Sequence, residues 1–405
     1  MRGYKCSLIK RRPSPTCRAL GLLCLLLLGL GLLDPTAVLA QGAESTPADT
    51  TRTPRQPLGR FPDDAVVTRG SFDRSITIPG APGALRVGGN VIVNVNYDFD
   101  NMGFQQISTQ PTIPLDGSRE DGEDQFAAHA RFSRVNFDYR APTLIGEFRI
   151  FIEVGFFGQG GSELVNDYTA HIRHAVAEIG NWKFGQFWSG FMDPFAQPET
   201  ADVGGPLALP SKRNPGIFYV HGEREPNSFG FGIENPTADL SGNLALQRSE
   251  SMPSLVGFVR FERKWGYVRL SAMTVQQRSA TDDLLTGGAH LSGRFNLPFI
   301  TERDNFAFGA QAGEGFVHYY SSFIGGLDGL INEDGNIEAT GVLGAFGAYQ
   351  HWWTDKFRST FNASFFDFDL PTGFVPTAYA GGYRLGANVV WNPILDAVFG
   401  IELNY

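Results

Sequence analysis

Apolar and polar side chains alternate with a period of two residues in segment after segment of the chain from about residue 85 onward. In the segment 147–154, for example, one face carries Phe148, Ile150, Ile152 and Val154. Successive side chains of a β-strand point to opposite faces, so each segment predicts a strand with one apolar and one polar face. The connections between segments are alternately long and very short. This rhythm predicts an all-β fold, a transmembrane antiparallel β-barrel with lipid outside and a wet lumen inside.

Fifteen such strands can be placed, at 91–97, 134–140, 147–154, 168–179, 182–189, 214–222, 227–234, 254–263, 265–275, 287–296, 304–312, 340–352, 357–368, 379–391 and 396–405. Single-chain bacterial barrels have an even number of strands, because both ends lie on the periplasmic side. We therefore expect 16 strands, with the closing strand absent from this chain. The alternative is one overlooked strand, with 396–405 as the terminal strand.

The first 40 residues have the features of a secretory signal peptide. Basic residues precede the apolar run 20–33, and Val38, Leu39 and Ala40 offer a cleavage site. We expect cleavage after Ala40, which removes all 3 cysteines of the chain. A mature exported chain without thiols has no disulfide and no cysteine-based metal or redox site.

The mature chain is acidic. The whole chain has 33 Lys and Arg against 42 Asp and Glu, and the leader holds six of the basic residues and one acidic residue. A balance of about −14 argues against a nucleic-acid partner. The Pro- and Thr-rich region 41–80 has no apolar period and predicts a disordered periplasmic linker, which leaves 81–405 for the barrel.

Several long, ordered stretches resemble the DcaP-like family of trimeric outer-membrane porins. They are SFDRSITIPG (71–80), RVGGNVIVNVNYDFD (86–100), FIEVGFFG (151–158), the run 166–205, GEGFVHYY (313–320) and YQHWWTDKFRST (349–360). The resemblance covers most of 71–405 and implies a 16-stranded trimeric barrel that passes small, preferentially anionic solutes such as dicarboxylates. Many relatives have a periplasmic helical segment where this chain has its linker, and relatives continue beyond the position of Tyr405.

The segment 190–213 lies where the third external loop falls, and in porin-like barrels that loop folds inward and narrows the lumen. Its acidic candidates are Asp193, Glu199 and Asp202. We expect these carboxylates to face basic side chains on the barrel wall, and the parity of the strands selects Arg134, Arg140, Arg149, Arg173 and Lys183. Opposed charges across a narrow wet gap would set ion preference. The alternative is that each lumen arginine only pairs with a neighbouring carboxylate.

No motif for a metal, a cofactor or catalysis stands out. His171 and His174 are three residues apart on a predicted strand, which places them on opposite faces. By the same parity His174 points outward, where we expect it in a subunit interface. The acidic loop 116–124 lacks the ligand pattern of a calcium loop. We find no GxSxG or HExxH pattern, so an enzyme is not expected.

These observations predict an outer-membrane porin in contact with lipid that works by passive diffusion. The resemblance implies in addition that it is a homotrimer and that it passes small hydrophilic anions. Inward small residues, such as Gly155, Ala175, Ala177 and Gly185, argue for open space in the lumen. A structural barrel with a plugged lumen, or a hydrolase built on a barrel, remain the alternatives. A plugged lumen would need large apolar or tightly paired interior side chains, and a hydrolase would need an activated nucleophile or an acid/base set.

Overall fold

A computed structural model describes residues 69–104, 113–114, 118, 122–158, 168–223, 225–320, 327–374 and 379–405. The predicted signal peptide 1–40 and the linker up to residue 68 lie outside these residues, as does most of the acidic loop 116–124. Within the described ranges no helix has the length and apolar character needed to cross a membrane.

The described residues form 21 strands and two short 3-10 helices, at Leu244–Leu246 and Val317–Tyr319. The strands in chain order are β1 (Ile76–Thr77), β2 (Ala84–Asn90), β3 (Asn94–Asp98), β4 (Gln125–His129), β5 (Arg134–Thr143), β6 (Gly146–Gly155), β7 (His171–Ile179), β8 (Trp182–Trp188), β9 (Arg213–His221), β10 (Asn227–Glu234), β11 (Leu240–Gly242), β12 (Ser254–Arg263), β13 (Gly266–Arg278), β14 (Asp283–Asn296), β15 (Asn305–Glu314), β16 (Gly329–Ile331), β17 (Ile337–Ala339), β18 (Gly341–Trp352), β19 (Phe357–Asp369), β20 (Gly381–Trp391) and β21 (Phe399–Asn404).

Sixteen of these strands make one antiparallel sheet in which each strand pairs with its neighbours along the chain. Its order is β1, β2, β5 to β10, β12 to β15 and β18 to β21. The two ends of the sheet approach each other, since Arg74 before β1 lies 3.7 Å from Asp396 before β21. The outer face is apolar and the inner face is polar, as lipid outside and water inside require. The predicted all-β barrel architecture is confirmed.

The prediction for the first strand was wrong. The sheet begins with β1 and β2, whereas residues 94–98 pair with β4 in a hairpin of their own. Gly88 and Gly89 in β2 have no side chains, so the alternation that marks a strand fades there. β1, which brings the sheet to 16 strands, lies inside the region assigned to the linker, so that region does not extend to residue 80 as an unstructured segment.

External loops add a second layer at the loop end of the barrel. β11, β16 and β17 form a three-stranded sheet that joins the connection after β10 to the connection after β15. An apolar cluster underneath includes Phe316, Val317 and Ile331, and it also includes Phe191 and Leu207 from the long connection between β8 and β9. The loop end of the lumen is therefore partly covered by packed protein.

Candidate solute pathway

The connection between β8 and β9, residues 189–212 (hereafter the inner loop), lies against the inner face of the sheet. Its two ends meet, because the N–H of Ser189 donates to the carbonyl of Lys212 at 2.9 Å. Near its end the N–H of Ser211 donates to the carbonyl of Tyr319 at 2.8 Å. Burial lowers the pKa of the Lys212 ammonium, and nearby carboxylates of the external loops oppose that shift. Both ends of the inner loop are thus fixed by hydrogen bonds.

Buried polar side chains hold the first residues of the inner loop. The N–H of Gly190 donates to the Glu234 carboxylate at 2.8 Å, and Arg269 donates to the carbonyl of Gly190 at 2.6 Å. The carboxylate of Asp193 accepts hydrogen bonds from Ser292 at 2.8 Å and from Tyr267 at 3.1 Å, and it lies 3.7 Å from Arg269. These contacts stabilise the fold, because burying a charge without a hydrogen-bonding partner costs free energy.

Two further arginines hold the rest of the inner loop. Arg358 forms a two-pronged contact with the Glu199 carboxylate at 2.5 Å. Arg384 donates to Asp202 at 2.5 Å and to the carbonyl of Gly205 at 2.7 Å. A planar guanidinium suits such paired contacts with a carboxylate. The inner face of β13, β14, β19 and β20, which supplies most of these contacts, is called the anchored wall below.

The acidic candidates of the loop therefore meet a different set of cations from the predicted one. Asp193, Glu199 and Asp202 pair with arginines of the anchored wall, and none pairs with Arg134, Arg140, Arg149, Arg173 or Lys183 in the described residues. The arginines of the anchored wall occupy polar-face positions of predicted strands, so the alternation in the sequence could have identified them as lumen-facing residues. Which arginine faces which carboxylate depends on where the loop lies, and alternation along a strand contains no such information.

The five predicted basic residues lie on the inner face of β5 to β8, which together with β9 is called the open wall below. At the end near the tight turns Asp138 is fully buried among three guanidiniums, those of Arg86 at 3.0 Å and of Arg140 and Arg149 at 2.8 Å. Lys183 lies 3.5 Å from Glu178 and 2.5 Å from Glu223. This turn-end cluster also includes Glu147, so its four cations face four carboxylates.

The other end of the open wall has an excess of cations. Arg173 donates to Glu153 at 2.8 Å, and Arg134 lies 3.8 Å from the same carboxylate. Arg213 stacks 3.4 Å from the centre of the Trp188 ring, and no carboxylate of the described residues lies within 4.0 Å of it. This loop-end cluster therefore contains three guanidiniums and one carboxylate. Arg213 begins β9 and was not among the predicted basic residues.

The prediction for His174 was wrong, and a β-bulge explains why. The register between β6 and β7 shifts beside Arg173, so that His174 pairs with Glu153 while His171 pairs with Gly155. An extra residue reverses the parity beyond it, which brings both histidines to the inner face and puts Ala175 and Ala177 outside. The ring centre of His174 lies 6.0 Å from that of Phe151 on the inner face of β6, so His174 is not in an outward subunit interface, and it accepts a hydrogen bond from Arg213 at 3.2 Å.

The bulge also removes the argument that the two histidines lie on opposite faces. Even so, within the described ranges no group of three or more His, Cys, Asp or Glu side chains is placed to hold a metal ion.

Two cavities lie beside the inner loop. One, of about 310 Å³, lies between the loop and the open wall, and its lining includes Arg149, His174, Lys183, Phe195 and Arg260. The other, of about 830 Å³, opens at the turn end beneath the loop, and its lining includes Glu199, Arg294, Trp352 and Arg358. The first cavity has four cationic and two acidic side chains, while the second has three of each.

The fold and the charged lumen are those of a porin-type outer-membrane β-barrel. The family model described as "DcaP outer membrane protein" matches residues 72–309, so the chain belongs to the DcaP outer membrane protein family. The predicted family and the predicted location in the outer membrane are confirmed. A comparison with curated proteins gives no match.

Solved structures share the fold at low sequence identity. The outer membrane channel DcaP of Acinetobacter baumannii matches with a TM-score of 0.69 and 18% identity over 80% of this chain and 91% of that chain. An anion-selective porin from Comamonas acidovorans matches with a TM-score of 0.52 and 12% identity, over 80% and 88% of the two chains. A loop deletion mutant of the Vibrio cholerae outer membrane protein OmpT has a TM-score of 0.50 and 10% identity, over 80% and 94%. The family and these neighbours support a porin role.

Proposed function

We propose that the protein is a homotrimeric channel for passive diffusion of small hydrophilic solutes, with a preference for anions such as dicarboxylates. The inner loop narrows the lumen, and solutes pass between this loop and the open wall. The loop-end cluster carries the proposal, because Arg134, Arg173 and Arg213 gather around a single carboxylate, that of Glu153, at the loop end of the open wall.

The partners of the loop carboxylates also support an anion preference. Asp193, Glu199 and Asp202 are each paired with an arginine of the anchored wall, so they add little negative potential to the pathway. The turn-end cluster is balanced. The uncompensated charge in this part of the lumen is thus positive, although the mature chain as a whole is acidic.

A planar bilayer experiment under a salt gradient tests this proposal. One elementary charge at roughly 8 Å in water changes a solute's energy by about 0.5 kcal/mol, or about twofold in relative permeability. Replacing Arg173 and Arg213 together by Gln should therefore reduce the anion-to-cation permeability ratio about fivefold.

Arg263→Gln is the matched control. Arg263 lies at the turn end of β12, where it donates to Asn227 at 2.8 Å outside the lumen. Its removal should leave the reversal potential unchanged. A wild-type channel that prefers cations, or a double variant with the wild-type reversal potential, would contradict the proposal.

A plugged barrel is the second candidate, because external loops and the inner loop pack together in the apolar cluster at the loop end. Folded, inserted protein without stepwise conductance would favour it. The trimer rests on the family resemblance alone, and a native mass measurement of the purified protein in detergent tests it.

A further inference from the structure

A phenyl ring is exposed inside the lumen. Phe195 lies on the inner loop, and 63% of its surface is exposed although this loop lies inside the barrel, away from lipid. Exposed apolar surface is unfavourable in water, and contiguous patches of it commonly mark binding sites. A channel for hydrophilic solutes does not require such a ring at this place.

Other aromatic rings line the same cavity of about 310 Å³. Phe151 of β6, Trp188 of β8 and Phe258 of β12 point into it from the sheet. The bulge in β7 brings His174 between two of them, with ring centres 6.0 Å from Phe151 and 5.7 Å from Trp188. The inner loop thus closes an aromatic pocket by adding Phe195 to rings supplied by the wall.

Each of these rings has a guanidinium beside it. Arg260 lies 5.3 Å from the ring centre of Phe195, and Arg149 lies 4.9 Å from that of Phe151. Arg269 lies 4.0 Å from the ring centre of Phe258. A guanidinium that stacks on a ring still presents its N–H groups at its edge.

Some of these N–H groups have no acceptor. The buried Nε atoms of Arg260 and Arg269 find no hydrogen-bond partner in the described part of the chain. The cavity lining has four cations and two carboxylates, and carboxylates outside the lining pair with Arg149, Arg260 and Arg269. A guanidinium with an unpaired N–H beside this cavity is suited to an incoming carboxylate.

We propose that this cavity is a binding subsite for organic anions that contain an aromatic ring, that is, for aromatic carboxylates. The ring of the solute packs against Phe195 and Phe151, and its carboxylate accepts hydrogen bonds from Arg260. The volume suits a solute with one ring, at the lower end of small-molecule sites. The subsite rests on the proposed diffusion function, because the solute must reach the cavity through the lumen.

The test measures block of the chloride current through single channels in planar bilayers by three monocarboxylates of equal charge. Benzoate should reach half-block at a concentration about threefold lower than cyclohexanecarboxylate, because aromatic pairs add to the effect of apolar contact. Butyrate should be the weakest blocker. Equal half-block concentrations for benzoate and cyclohexanecarboxylate would overturn the proposal.

Phe195→Leu should reduce the benzoate-to-cyclohexanecarboxylate preference to about one, and Phe151→Leu provides a second variant should the first fail to insert. The control is Phe229→Leu, since Phe229 lies on the outer face of β10 and should leave the preference intact. A preference that survives both cavity substitutions would also overturn the proposal. An anion-preferring channel without ring discrimination rejects only the subsite, whereas absent conductance or a cation preference rejects the diffusion function itself.

Discussion

The anchored wall and the open wall both present arginines to the lumen, yet the two sets do different things. On the anchored wall Arg269, Arg358 and Arg384 are nearly fully buried, and each is paired with a carboxylate of the inner loop. On the open wall Arg173 and Arg213 share a neighbourhood with one carboxylate, Glu153. An arginine with its own carboxylate partner anchors the inner loop, whereas arginines that share one carboxylate add positive electrostatic potential to the lumen.

The largest effect should follow from breaking an anchor. Asp193→Ala removes a carboxylate that accepts two hydrogen bonds and leaves Arg269 buried without its partner. Loss of one member of a buried pair costs about 3 to 5 kcal/mol, so the free energy of unfolding in denaturant should fall by that order. Single-channel current should also become noisier, because the loop is released.

Asp396→Ala is the matched control for this change. Asp396 is an exposed turn residue 3.7 Å from Arg74, and exposed pairs contribute little to stability. Equal stability of the two variants would show that the anchored wall does not hold the loop as its contacts indicate.

A smaller effect is expected from Arg384→Gln, which removes a cation from the anchored wall. Arg384 donates to Asp202 and to Gly205, and charged hydrogen bonds each contribute about 1.5 to 3 kcal/mol. The Gln amide can still donate to one of the two acceptors, so the free energy of unfolding should fall by about 2 kcal/mol, the contribution of one such bond. The Asp202 carboxylate also becomes uncompensated, so the reversal potential should move toward cations. A shift in ion selectivity without a loss of stability would show that Arg384 acts on permeating ions, as the arginines of the open wall do, and does not anchor the inner loop.

The smallest effect is expected from Glu153→Gln on the open wall. It removes the one carboxylate of the loop-end cluster, and the anion-to-cation permeability ratio should rise about twofold at low salt. At 1 M salt the Debye length falls to about 3 Å, so the rise should nearly vanish. Reversal potentials measured at low salt and at 1 M salt test both the rise in the permeability ratio and its loss. A loss of stability as large as that of Asp193→Ala would indicate that this wall, too, is mainly structural.

Much of the fold could be predicted because a barrel repeats one simple physical requirement. Each strand such as β6 must show apolar side chains to lipid and polar ones to water, so two-residue alternation locates the strands and the loop between β8 and β9. Prediction failed where this requirement left no trace. Gly88 and Gly89 interrupt the alternation in β2, so this strand was not predicted. The extra residue at Arg173 reverses which side chains face the lumen in the rest of β7.

The sequence by itself determined the barrel, its outer-membrane location and which side chains of most strands face the lumen, because these follow from local alternation and from the leader. Only the tertiary structure decided how the charges pair. Arg358 and Glu199 are 159 residues apart, and Arg384 and Asp202 are 182 apart. Contacts across a lumen depend on how the sheet curls and where the inner loop lies. The two-residue alternation of a single strand contains no information about either.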